Sequence, residues 1–151
     1  MAKKKKAGPV VIERELISSP AYLKLTGKAP QVLMVFLSKR QMVKVSFGKR
    51  KVWHIANNGQ IVFTYAEAES KYGIGYRTFS KAIGQLILLG FIDIAAQGIG
   101  IGKAPTLYAI SERWRKYGQP DFDFGKRAKR KAYRFPKGAE HPKKKGQDSL
   151  L

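Results

Sequence analysis

Between Tyr76 and Gln85 the chain reads Tyr-Arg-Thr-Phe-Ser-Lys-Ala-Ile-Gly-Gln, with a guanidinium, an ammonium, hydroxyls and a carboxamide but no carboxylate. Such a set suits an anion or a hydrogen-bonding edge. A guanidinium fork matches phosphate or the paired acceptors of guanine, and a carboxamide matches adenine. Other candidate chemistry fails on spacing. Gly98-Ile-Gly-Ile-Gly-Lys-Ala104 has Gln97 where a phosphate-binding loop needs its first glycine, and Ala104 where it needs a hydroxyl for magnesium. It also lacks the long helix and distal acidic residue of a dinucleotide site. His54 and His141 stand far apart in the chain, which argues against a metal site. There is no cysteine for a thiolate, a disulfide or a zinc cluster. The scattered acids suggest no paired-carboxylate mechanism. The expectation is a binding protein with no cofactor and no catalytic function.

The 151 residues carry 30 Lys+Arg against 10 Asp+Glu, a formal charge of +20. With 44% hydrophobic residues a core can still form, and the length suits one domain. The charge is concentrated at both ends but not confined to them. Residues 9–118 keep sixteen basic residues against six acidic ones. The runs Gly125-Lys-Arg-Ala-Lys-Arg-Lys-Ala-Tyr-Arg134 and Lys143-Lys-Lys145 have too few aliphatic residues to offset ordering entropy. We therefore expect basic tails at 1–9 and 119–151, the latter a mobile arm, around a domain at 10–118. Apolar runs are too short for a membrane span, and the charged Glu13-Arg-Glu15 interrupts any signal-like start. A cytoplasmic, nucleoid-associated protein with a polyanionic partner is expected.

Local signals position these residues. Ser19-Pro20 reads as an N-cap and first helical residue. Thr26 is placed to cap a helix whose inner face is Ala29, Val32, Leu33, Phe36 and Leu37. Residues 42–47 and 51–55 have strand character and flank Gly48-Lys-Arg50, a hairpin with Lys49, Arg50 and Lys51 at its tip. Asn57-Asn-Gly59 marks a turn before a short strand at 60–63. Thr64-Tyr-Ala-Glu67 has capping-box form, opening a helix that Gly73 closes at Tyr72. A second helix from Tyr76 to Leu89 turns Phe79, Ala82, Ile83, Leu86 and Leu89 inward, with Gly90 ending it. Gly84 within it is read as a sign of close backbone packing. Strands at 91–95 and 106–110 bracket a glycine loop containing Lys103, and Ser111-Glu-Arg-Trp114 begins a closing helix.

Two helices joined by a short glycine-containing turn form a helix-turn-helix, and a hairpin after the second helix forms a wing. Through Thr64-Tyr-Ala-Glu-Ala, Tyr72-Gly-Ile-Gly-Tyr-Arg-Thr-Phe79, Leu89-Gly-Phe-Ile-Asp-Ile94 and Leu107-Tyr-Ala-Ile-Ser-Glu-Arg-Trp114, residues 12–118 resemble the winged helix-turn-helix DNA-binding proteins of bacterial prophages and plasmids. The resemblance implies an α+β fold with a three-helix core, a small antiparallel sheet and wing, and here an additional hairpin. It also implies transcription or replication control of a mobile element.

The partner expected is double-stranded DNA. Arg77 and Gln85 would read base edges, while Gly75, Tyr76, Thr78, Ser80 and Lys81 would meet base or phosphate. Lys103, Lys49, Arg50 and Lys51 are candidate backbone contacts. Two other readings share this composition: an RNA-binding or ribosome-associated protein, and a winged-helix adaptor for other proteins. No heptad seam marks a coiled-coil dimer, and a homodimer through the wing or the N-terminal segment stays open.

Overall fold

Residues 8–99 and 104–125 are described by the computed structural model. The 1–7 and 126–151 parts of the expected tails, and Lys103, lie outside them.

The chain opens with a single-turn helix, α1 (Arg14–Ser18), that no sequence signal had marked. At α2 (Pro20–Leu23) the Ser19 hydroxyl accepts the Tyr22 N–H at 3.1 Å, the expected N-cap. Helix α3 (Ala29–Ser38) buries Ala29, Val32, Leu33, Phe36 and Leu37 as its spacing requires. Its start differs from expectation. Lys28, not Thr26, occupies the N-cap, and no side chain caps the helix.

Strands β1 (Met42–Phe47) and β2 (Arg50–Ile55) pair in register from Met42↔Ile55 to Phe47↔Arg50. Only Gly48 and Lys49 lie between them. Gly48 has φ +59°, the left-handed value that a two-residue hairpin loop needs at its first position. This hairpin is a separate sheet. Its root is held by one side chain: Asn57 Oδ1 accepts the Gln41 N–H at 2.8 Å, and Asn57 Nδ2 donates to the Lys39 carbonyl at 2.9 Å. The next residue fastens the same turn to the other sheet. Asn58 Oδ1 accepts the Ile110 N–H at 2.7 Å. Two amides that read only as a turn in sequence therefore join the hairpin to the body.

Strand β3 (Ile61–Val62) precedes α4 (Tyr65–Tyr72) and α5 (Tyr76–Leu88). Strands β4 (Ile92–Ala96) and β5 (Leu107–Ile110) follow, and a 3-10 turn at Arg113–Lys116 takes the place of the expected closing helix. The second sheet is antiparallel in the order β3-β5-β4. The molecule is thus α+β, with small antiparallel sheets.

The core joins α3, α5 and this sheet. Phe63 lies at its centre, edge-on to Phe36 at 5.4 Å, Phe79 at 4.8 Å and Tyr72 at 5.7 Å between centroids. Phe91 stacks on Trp114, which brings the closing turn onto the core. Ordered packing continues past Gly118. Phe122 is buried and meets Tyr117 and Phe124 edge-on.

Candidate nucleic-acid interface

Helices α4 and α5 are joined by Gly73, Ile74 and Gly75 alone. The Thr64 hydroxyl accepts the Glu67 N–H at 3.1 Å, so half of the capping box forms. The other half does not. Instead of reaching back to Thr64, the Glu67 carboxylate takes the Lys39 ammonium at 2.7 Å and 2.9 Å. A charged partner outcompetes a neutral N–H for a carboxylate. Gly73 ends α4 at φ 64°, ψ 26°, where any side chain is strained. Ile74 then turns into the core.

These constraints fix how α5 presents its two edges. Phe79, Ala82, Ile83, Leu86 and Ile87 are buried, whereas Gly75, Tyr76, Arg77, Thr78 and Lys81 are exposed. Tyr76 is 56% exposed yet held in place by stacking on Tyr65, with centroids 4.4 Å apart. Among the described residues neither Arg77 nor Lys81 forms an ion pair. Ser80 is half-buried and already has an interaction partner.

Gln85 departs from its expected role. Its Oε1 accepts the Thr26 N–H at 2.9 Å, and its Nε2 donates to the Thr26 hydroxyl at 3.1 Å. This pairing explains two corrections together. The hydroxyl expected to cap α3 and the amide expected to read adenine are turned toward each other, fastening the α2–α3 loop to α5. The residues are 59 apart in the chain, and nothing local signals the contact.

Gly84 also departs from its expected role. A Cβ built there meets nothing within 4 Å, so close packing does not require a glycine. It lies on the stripe of Arg77 and Lys81, seven and three residues on. Gly84→Ala is expected to raise the unfolding free energy by about 0.5–1 kcal/mol, measured by urea denaturation, because alanine loses less backbone entropy in a helix. An unchanged or lower midpoint would mean that this position is constrained by something other than open space.

The acids lie elsewhere. Glu13, Glu15 and Glu112 converge on Arg115, Asp121 pairs with Lys116, and Asp93 takes Arg113 at 2.5 Å. Arg113 also donates to the Ile87 carbonyl at 3.0 Å, tying the last turn of α5 to β4 and the closing turn. The hydrogen bond and charge of Lys116 hold Asp121 below the usual carboxylate range. Burial works against the charged form of Arg115, but its bonds and proximity to Glu13, Glu112 and Glu15 leave it raised. Burial lowers Arg40 despite the nearby charge of Glu13.

Lys49, Arg50 and Lys51 are exposed at the end of the hairpin and unpaired among the described residues. They belong to a longer feature of the sequence: no Asp or Glu occurs between Glu15 and Glu67. Among the described residues no group of His, Cys, Asp or Glu could hold a metal ion. No helix among them is long and apolar enough to cross a membrane. No protein-family model matches the chain, and neither the curated proteins nor the solved structures offer a similar one.

Proposed function

We propose that this chain is a double-stranded DNA-binding protein of winged helix-turn-helix form, with α5 as its recognition helix. The observation that carries the reading is the two-sided character of α5. Phe79, Ile83 and Leu86 anchor it, while Arg77 and Lys81 stand outward with no acid beside them. The three-residue turn after α4 and the antiparallel order β3-β5-β4 support this reading, in which the β4–β5 pair serves as the wing. In a major groove the first turns of α5 approach base edges, and Gly75 lets the helix N-terminus come close to a phosphate. Lys49, Arg50 and Lys51 are assigned to the DNA backbone. The resemblance to prophage and plasmid proteins extends the reading to transcription or replication control of a mobile element.

Selection from a random duplex library tests this directly. An enriched motif is the expected result, and its symmetry reports whether one or two copies bind. Enrichment of no motif would remove base readout. With an enriched duplex in hand, Arg77→Ala is expected to weaken binding by about 1–3 kcal/mol and relax one base position. Lys81→Ala should weaken all sequences alike and lower the salt slope by about 1. Fluorescence anisotropy across single-base variants separates the two effects.

A further inference from the structure

The hairpin β1–β2 bears apolar side chains on both faces and buries neither fully. Directly paired residues share a face, so Val43/His54, Val45/Val52 and Phe47/Arg50 form one, and Met42/Ile55, Lys44/Trp53 and Ser46/Lys51 the other. Phe47 is 69% exposed and Trp53 61% exposed. An isolated two-stranded ribbon is marginal in water, and large exposed rings on it bring no folding benefit. Cations interleave with them: Lys44, Lys49, Arg50 and Lys51, unpaired with any carboxylate among the described residues. The Lys44 ammonium lies 5.6 Å from the centre of the Trp53 ring.

We propose that this hairpin is a second binding element that takes an unpaired DNA strand, which passes round the exposed tip so that bases stack on Trp53 on one face and on Phe47 on the other. The charge favours an anionic partner over a cationic one. Exposed rings beside the charges call for a partner with π faces of its own. Single-stranded nucleic acid combines both, whereas a duplex keeps its base faces covered. A base on the Trp53 ring brings its phosphates to Lys44 and to Lys51, the latter one face-repeat along β2. The choice of DNA over RNA rests on the duplex reading proposed for α5. The stacking itself rests on the hairpin alone.

Intrinsic fluorescence supplies the test, because the two tryptophans differ: Trp53 is exposed and Trp114 buried. The full chain is titrated with oligo(dT), oligo(rU) and a blunt duplex. We expect oligo(dT) to quench the emission, and Trp53→Phe to keep the affinity but lose the quench. Phe47→Ala with Trp53→Ala is expected to lose about 10- to 100-fold in oligo(dT) affinity. Duplex affinity and the circular dichroism spectrum should be little changed. Equal loss on duplex and oligo(dT), or no loss at all, would overturn the proposal. Tighter binding of oligo(rU) through the same two rings would reassign the occupant to RNA. A dimer that Phe47→Ala converts to monomer in sedimentation would reassign it to a second copy. The α5 reading fails separately. It falls if Arg77→Ala leaves duplex binding intact, whatever the hairpin variants do.

Discussion

Replacing Phe63 by alanine is expected to lower the unfolding free energy by about 3–5 kcal/mol, the range for deleting a buried aromatic ring. The ring is 2% exposed and contacts Phe36, Tyr72 and Phe79 edge-on. Each such aromatic pair adds roughly 0.5–1.5 kcal/mol beyond the area it buries. Domains of this size are stable by only about 5–15 kcal/mol, so the variant stands near the edge of folding. Phe79 belongs to α5 and Phe36 to α3, and losing the ring between them also loosens the seat of the proposed recognition helix. Urea denaturation followed by circular dichroism measures the first effect and duplex binding the second. A midpoint shift equivalent to less than about 1 kcal/mol would mean that the aromatic cluster is not the keystone described here.

Salt should act even more strongly on the proposed complex. If six to ten phosphates are neutralised, raising salt from 50 to 200 mM releases enough counterions to lower duplex affinity by roughly 10³–10⁵. The +20 charge of the whole chain makes that many contacts attainable. Anisotropy titrations at several salt concentrations give the slope, which counts the phosphates. A flat dependence would contradict a phosphate-dominated interface and leave the cations of α5 and the hairpin without a role.

Local chemistry was the legible part of this fold. Ser19 and Thr64 cap helices because their hydroxyls reach N–H groups three residues away. Gly73 and Gly90 end helices because they sit at φ 64° and 87°. The buried stripes of α3 and α5 follow from their 3.6-residue spacing, and the exposed Arg77 and Lys81 follow with them. The misreadings at Thr26, Gln85 and Glu67 involve partners remote in sequence. Thr26 and Gln85 carried plausible local roles until each was found paired with the other. Glu67 left its box for Lys39, twenty-eight residues earlier. Alternation along 42–47 marks a strand correctly but does not tell whether a body lies beneath it, and here both faces of the ribbon meet solvent. The clamp made by Asn57 and Asn58 was likewise hidden behind the turn propensity of the same two residues.

The pairing of Gln85 with Thr26, next to the bare Gly84, has a further consequence for selectivity. It leaves α5 an outward reading edge that runs only from Tyr76 to Lys81. At a rise of about 1.5 Å per residue that edge is roughly 8 Å long, little more than two base-pair steps of about 3.4 Å each. Two or three base pairs distinguish about 16 to 64 sequences, against roughly a million or more competing sites in a genome. On the proposed reading, one helix of this kind holds too little information to find an address alone. Selectivity must come from copies placed side by side on repeated half-sites, or from how readily the DNA bends beneath them.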